Sequence, residues 1–247
     1  MTSSAEGAGA VPDVSIVVPA YNTAGYIAGT ISSILAQTHT SYEILVVNDG
    51  SPDTPALEQA LAPFRNRLTY LVQSKNMGLS AARNVAIRAA RGRYVALLDS
   101  DDSWAPDYLA RQLAVMEADP GLAVVYPNAL IVGDHPHAGR TFMDVCPSRG
   151  EVTFQSVLNQ KCSVFVSALI RRDALVAVGL FDEELRSVED FELWLRLLAA
   201  GERIAYHRHV LVRHLRRRGS LSADPIWMGE HVLHVLDKVA ALDLPAV

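Results

Sequence analysis

Three carboxylates stand within four residues at Asp99, Asp101 and Asp102, directly after the apolar run of residues 94–98. That run predicts a buried strand, so the acids would lie at a strand end. Carboxylates this close repel one another unless a cation neutralises them. Mg²⁺ and Mn²⁺ suit that task, because hard divalent ions prefer oxygen ligands and also bind phosphate. The alternative is an acidic loop in which Asp102 or Ser103 caps the following helix.

Other polar residues are predicted at the same place in the fold. Strands and helices alternate through about residue 126, which indicates a mostly parallel, doubly wound sheet with helices on both faces. Ligands of such sheets bind at the carboxyl ends of the strands. The predicted strands cover residues 14–18, 43–47, 69–72, 94–98 and 122–126. The polar residues that follow strands are Tyr21, Asn22, Asp49, Asn76, Asp99 and Asp101.

Helices are predicted between these strands, and the second half of the chain is less regular. Asn22 or Thr23 is expected to cap the first helix, whose apolar stripe begins at Ile27. A long mobile loop is expected over residues 133–150. The remaining predictions are helices over residues 55–62, 79–90, 106–118, 188–199 and 226–242, and strands over residues 164–170 and 203–212.

Composition limits the classes of protein that fit. The 247 residues are half apolar, and a net charge of −5 gives no support to a nucleic-acid partner. Two cysteines without metal-site or disulfide spacing favour a reducing compartment. Residues 1–12 resemble a disordered leader rather than a signal peptide. No apolar run approaches the roughly 20 residues that span a bilayer, so we expect a cytoplasmic protein for which peripheral membrane contact stays open.

Seven segments in a fixed order resemble the inverting glycosyltransferases of family 2, which have the glycosyltransferase-A fold. The resemblance implies one α/β domain of this fold, with a Rossmann-like, mostly parallel central sheet. Residues 13–126 would form a nucleotide-sugar-binding half, residues 127–223 an acceptor-binding and catalytic half, and residues 224–247 a C-terminal helix. The segments are VVPAYN (17–22), VNDGS (47–51), NMGLSAARN (76–84), LDSDD (98–102), GLFDE (179–183), ED (189–190) and GSLS (219–222).

The resemblance assigns a donor site to the first half. It implies that Asp49 accepts hydrogen bonds from the nucleotide base, that Arg83 reaches the nucleotide and that Asp99 faces the ribose. The full set of implied donor-binding residues is Pro19, Ala20, Tyr21, Asn22, Asp49, Asn76, Gly78, Arg83, Asp99, Ser100 and Asp101. Structural alternatives stay open: Tyr21 and Asn22 as a turn, Asp49 as a turn former, and Arg83 on a solvated helix face.

The resemblance also implies a metal and a general base. Mn²⁺ or Mg²⁺ would bind Asp101 with Asp99, and His214 is a candidate further ligand because Arg217 stands where relatives often have histidine. Asp190 would take the proton of the acceptor hydroxyl in a single inverting displacement. Glu189 and Arg216 would contact acceptor or donor. The alternative for Glu189 and Asp190 is a pair of acids stabilised by a helix dipole.

These implications predict a metal-dependent transfer of a hexosyl or N-acetylhexosaminyl group. The donor would be a nucleotide-sugar, expected to be a UDP-sugar, and the acceptor a carbohydrate, lipid-linked, peptide or small-molecule hydroxyl. A nucleotidyltransferase is one alternative, but residues 19–22 do not form the glycine-rich basic signature expected after its first strand. A non-catalytic nucleotide-sugar-binding relative is the other. Sugar, acceptor and oligomeric state are not determined by the sequence.

Overall fold

A computed structural model describes residues 11–217 and 224–240. Within that part of the chain, eight strands form one sheet in the order β3-β2-β1-β4-β7-β6-β8-β5. The GSLS segment at residues 219–222 and the last two residues of the predicted closing helix lie outside the described residues. The strands are β1 (Val14–Ala20), β2 (Tyr42–Asp49), β3 (Thr69–Gln73), β4 (Tyr94–Leu97), β5 (Ser103–Trp104), β6 (Leu122–Gly133), β7 (Leu169–Arg171) and β8 (Arg203–Arg216).

The predicted parallel sheet is confirmed for the first four strands. β1 pairs in parallel with both β2 and β4, and β2 pairs in parallel with β3. Every residue of β1 is buried, as expected for a strand covered on both faces. Strand β7 then runs antiparallel between β4 and β6, and therefore joins the second half to the same sheet. The carboxyl ends of β1, β2 and β4 thus meet at one edge.

The helices cover the faces of this sheet. α1 begins at Ile27 without a side-chain cap, so the prediction that Asn22 or Thr23 caps it is wrong. The hydroxyl of Thr23 instead accepts a hydrogen bond from Ser100, and the backbone N–H of Asn22 donates to Ser51. The helices are α1 (Ile27–Leu35), α2 (Thr54–Leu61), α3 (Leu79–Ala89), α4 (Tyr108–Ala118), α5 (Phe142–Val145), α6 (Phe154–Leu158), α7 (Arg172–Ala177), α8 (Glu189–Ala199) and α9 (Pro225–Ala240), with a 3₁₀ helix at Ala62–Arg67.

The second half differs from its prediction in the lengths of its strands. β6 and β8 continue to Gly133 and Arg216, beyond the predicted strands over residues 122–126 and 203–212. The two strands pair in parallel with irregular register, and the apolar residues of neither predicted strand indicated this pairing. The predicted strand over residues 164–170 is shorter in the structure, where β7 covers only Leu169–Arg171. Ser167, which precedes β7, is held by its side chain. Its hydroxyl donates to the Leu97 carbonyl and accepts from the Trp104 indole. The expected loop over residues 133–150 contains the short helix α5.

Apolar side chains from both halves form one core. The Trp104 and Tyr108 rings stack with centroids 3.9 Å apart, and both side chains hydrogen-bond to Ser167. This packing holds the chain that follows the acidic segment. No helix in residues 11–217 or 224–240 is both long and apolar enough to cross a membrane.

The close approach of Gly92 to β1 gives a stability prediction. A Cβ at Gly92 would lie 2.6 Å from the backbone nitrogen of Ser15, so Gly92→Ala should destabilise the protein by about 1–3 kcal/mol through overpacking. Gly29 is exposed in α1 with nothing within 4 Å of such a Cβ, and Gly29→Ala should stabilise by about 0.5–1 kcal/mol. Denaturant unfolding of both variants measures the difference. Equal midpoints would contradict the described packing.

Candidate active site

The acidic segment is held in a fixed turn at the end of β4. The backbone N–H of Asp102 donates to the Asp99 carbonyl at 3.0 Å, and the Thr30 hydroxyl lies 2.9 Å and 2.8 Å from the carbonyls of Ser100 and Asp102. Ser100 is buried and its hydroxyl donates to Thr23. Ser100 therefore stabilises the turn. The side chains of Asp99 and Asp101 are left partly exposed.

A buried guanidinium joins the acidic segment to the second half. Arg83 on α3 is only 1% exposed, donates to Asp99 at 2.9 Å and donates to the carboxylate of Glu189. It also lies over the Phe181 ring, 5.2 Å from the centroid. Burial opposes its charge, but the neighbouring carboxylates raise the pKa of Arg83 above its ordinary value. Arg83 is thus neither on a solvated face nor open to solvent.

Asp190 lies beside this pair at the start of α8. Val188 precedes it with φ at +51°, a left-handed backbone that a β-branched residue adopts only when its surroundings impose it. The backbone N–H of Phe191 donates to Asp190 at 2.8 Å. Burial, followed by repulsion from Glu189, raises the pKa of Asp190 to about 7. A carboxylate with this pKa is suited to accept a proton near neutral pH.

The other two acids of the turn have partners from the end of β8. Asp101 accepts a hydrogen bond from Nε of Arg217 at 3.0 Å. Asp102 is buried; it lies 2.9 Å from Nδ1 of His214 and accepts the N–H of Leu215 at 2.7 Å. Burial raises the pKa of Asp102 to about 6. The predicted metal candidate His214 is therefore oriented towards Asp102.

Whether a divalent cation fits this edge depends on the oxygens of Asp99 and Asp101. In the described ranges no group of three or more His, Cys, Asp or Glu side chains is arranged to hold a metal. Nevertheless, burial and the charge of Asp99 raise the pKa of Asp101 even with Arg217 beside it. A cation bound beside Asp101 would therefore favour its ionised form, and carboxylate oxygens are the ligands that Mn²⁺ and Mg²⁺ prefer.

Asp49 organises the loop that follows β3. Its two carboxylate oxygens accept the backbone N–H groups of Met77 at 2.7 Å and Gly78 at 2.9 Å. Gly78 has φ at +98°. Arg186 donates to the Met77 carbonyl at 2.9 Å, so the second half also contacts this loop. Sequence reasoning missed Arg186, because nothing in its spacing marks a residue that contacts a loop 109 positions away.

The remaining predicted donor-binding residues follow β1 or lie in the same loop. Pro19 and Ala20 are buried within β1. Tyr21 and Asn22 follow that strand and are exposed, as is Asn76 after β3. Asn22 has φ at +54°, which is tolerated by asparagine in a tight turn. The structure thus brings five of the predicted site residues to one side of the sheet, namely Tyr21, Asp49, Asp99, Asp101 and Asp190. Arg216, the remaining predicted contact, lies at the end of β8, and its charge acts to lower the pKa of His214.

Comparison with known proteins identifies the family. The model for glycosyl transferase family 2 matches residues 15–177. A succinoglycan biosynthesis protein (ExoO) of Rhizobium meliloti is 37% identical over 225 residues, which are 86% of this chain and 63% of that protein. A putative teichuronic acid biosynthesis glycosyltransferase (TuaG) of Bacillus subtilis is 30% identical over 77% of this chain and 73% of its own length. The chain belongs to glycosyl transferase family 2.

Solved structures share the fold. S. aureus TarS in complex with UDP-GlcNAc superposes with a TM-score of 0.76 at 23% identity, covering 94% of this chain and 68% of that one. A mannosyltransferase from Pyrobaculum calidifontis in complex with GDP-Man and Mn²⁺ gives a TM-score of 0.72 at 22% identity, covering 96% of this chain and 67% of that one. The predicted glycosyltransferase-A fold is confirmed.

The buried position of Arg83 gives a prediction about stability. Arg83→Ala leaves Asp99 and Glu189 without their partner, and should cost about 3–5 kcal/mol of unfolding free energy. Arg88→Ala is the matched control on the same helix: its side chain is 59% exposed and pairs with the exposed Glu183, so the cost should be within about 1 kcal/mol. Denaturant unfolding measures both. Equal costs would contradict a supporting role for Arg83.

Proposed function

We propose that the protein is a metal-dependent, inverting glycosyltransferase that moves a sugar from a UDP-sugar to an acceptor hydroxyl. The observation that carries the proposal is Arg83, which pairs at once with Asp99 and with Glu189. Asp190, the predicted base, follows Glu189 in the sequence. The double pairing of Arg83 therefore holds Asp190 close to the predicted nucleotide site. A purely structural acidic loop would not require a buried cation shared with the start of a distant helix.

The residues have separate tasks in the proposed reaction. The acceptor oxygen attacks the anomeric carbon while the bond from that carbon to the diphosphate oxygen breaks, and Asp190 receives the acceptor proton. The electron pair of the broken bond leaves with the nucleoside diphosphate. Asp101, with Asp99, would hold Mn²⁺ or Mg²⁺, which when bound stabilises the charge of that leaving group. Arg83 pairs with both Asp99 and Glu189, so its single positive charge offsets part of the negative charge of these two acids.

Relatives and structural neighbours support the donor class. The neighbour TarS was solved with UDP and with UDP-GlcNAc. A β-1,3-glucosyltransferase (WfgD) of Escherichia coli, 31% identical over 75% of this chain and 69% of its own length, is named for UDP-Glc and a diphosphoundecaprenol-linked acceptor. We therefore propose a UDP-hexose or UDP-N-acetylhexosamine as donor. A saccharide hydroxyl of a growing surface polysaccharide is the acceptor we propose, and the predicted cytoplasmic location belongs to the same proposal.

Donor turnover tests the proposal without a known acceptor. UDP-glucose, UDP-GlcNAc and GDP-mannose are incubated with Mn²⁺, with water or simple glycosides as acceptor, and nucleoside diphosphate release is measured. We expect release of UDP from a UDP-sugar. The NMR spectrum of the product should show the anomeric configuration opposite to that of the donor. Retained configuration would contradict the mechanism. Absence of release from every donor by folded protein would support the non-catalytic alternative.

Replacement of the base should separate binding from turnover. Asp190→Asn removes the proton acceptor, so turnover should fall by about 10²–10⁴-fold while UDP affinity changes little. Asp173→Asn is the control, because Asp173 lies in the first turn of α7, is exposed and is outside the site. Steady-state rates and UDP titrations provide the two readouts. Wild-type turnover in the Asp190 variant would exclude it as the base.

The pKa of Asp190 also predicts a pH dependence. The reaction needs the carboxylate, and burial raises its pKa to about 7 in the free protein. The value of kcat/KM should therefore rise about tenfold per unit as pH increases towards 7, and level off above it. Initial rates from pH 5 to 9 measure this limb. A profile that is already flat at pH 5 would contradict protonation of Asp190 in this range.

A further inference from the structure

Two carboxylates of the acidic turn differ in how firmly their cations are held. Asp99 pairs with Arg83, whose side chain is 1% exposed and which also pairs with Glu189. Asp101 pairs with Arg217 through Nε at 3.0 Å, and the side chain of Arg217 is 25% exposed. The Arg83 pair is part of the core, whereas the Arg217 pair lies at the rim of the site.

The second contact of Arg217 is also with an accessible group. Its guanidinium carbon lies 5.1 Å from the ring centroid of Tyr26, a side chain that is exposed. Cation–π contacts at exposed positions contribute about 0.5–1 kcal/mol, so this contact does not fix the guanidinium in place. Both of these contacts of Arg217 are thus with groups that solvent reaches.

Arg217 and the proposed divalent ion would meet at the same carboxylate. The oxygen Oδ2 that accepts from Arg217 belongs to the carboxylate that the proposed function assigns to the divalent ion. A guanidinium and a divalent ion that contact the same carboxylate repel each other. Binding of one should weaken binding of the other.

We propose that Arg217 is the exchangeable counter-ion of Asp101, and that a divalent cation must displace it to bind there. This inference deepens the proposed function, because it rests on Asp101 as a metal ligand. Arg217 is then a positioning residue: it neutralises Asp101 while the metal is absent and lowers the affinity for metal alone. Relatives often have a histidine where this chain has Arg217, and here the residue at this position would compete with the metal rather than bind it.

Binding of Mn²⁺ without nucleotide measures the competition directly. The free Mn²⁺ signal in electron paramagnetic resonance is followed while wild type, Arg217→Ala, Arg217→Lys and Asp101→Asn are titrated with Mn²⁺. We expect Arg217→Ala to bind Mn²⁺ about tenfold more tightly than wild type, equivalent to about 1.4 kcal/mol. Arg217→Lys should lie between them, because it keeps the charge but loses the Nε donor. Asp101→Asn should lose the site.

A charge-matched control separates displacement from general electrostatics. Arg213 is exposed on β8, the strand that ends just before Arg217, and the described residues show no hydrogen bond or ion pair between it and Asp101. Arg213→Ala should therefore leave Mn²⁺ affinity within about twofold of wild type, since exposed charges interact weakly through water. Equal gains in both variants would reduce the effect to net charge and overturn the proposal.

The outcomes distinguish this inference from the proposed function. If Arg217→Ala binds Mn²⁺ no more tightly than wild type, while wild type still binds UDP in the presence of Mn²⁺, the displacement is wrong and the proposed function stands. If neither protein binds Mn²⁺, with or without UDP, the metal assignment fails and the displacement fails with it. Circular dichroism melting confirms that each variant is folded before titration.

Discussion

The ion pairs of Arg83 are the interaction on which the rest of the site depends. A guanidinium that is 1% exposed is stable only if carboxylates surround it, and here they come from the end of β4 and the start of α8. The same helix α3 holds the chain before α8, since Asn84 hydrogen-bonds the backbone of Phe181 in both directions. The acidic turn and the predicted base are therefore positioned by one helix between them.

Charge is distributed unevenly around this centre, and the distribution has a chemical consequence. Asp99 and Glu189 share the single positive charge of Arg83, Asp102 pairs with His214, and Asp101 pairs with Arg217 at the rim of the site. Within the described residues Asp190 forms no ion pair, and burial raises its pKa to about 7. The two acids expected to meet proton and metal are thus Asp190 and the rim residue Asp101.

The sequence predicted the parallel half of the fold because its strands are short apolar runs bounded by turn residues, as in residues 14–18 and 94–98. It also predicted which residues gather at the sheet edge. It did not predict that Arg83 would be buried between two acids, or that Arg186 and Arg217 would contact Met77 and Asp101. Apart from the Arg83–Asp99 pair, those contacts join residues more than a hundred positions apart, and no local pattern encodes them. The antiparallel direction of β7 was equally hidden, because its three residues (Leu169–Arg171) carry no signal of strand direction.

The central claim is that the sheet edge at Asp101 binds a nucleoside diphosphate through a metal held by that residue. Calorimetric titration of UDP and GDP tests this claim most directly. Each nucleotide is added to wild type and to Asp101→Ala, once with Mn²⁺ and once with EDTA, with Asp173→Ala as a control outside the site. We expect UDP to bind wild type and the control only in the presence of Mn²⁺, and not to bind Asp101→Ala. Equal binding in EDTA, or unchanged binding by Asp101→Ala, would contradict the metal at Asp101. No binding of either nucleotide by folded wild type would contradict the UDP-sugar site itself.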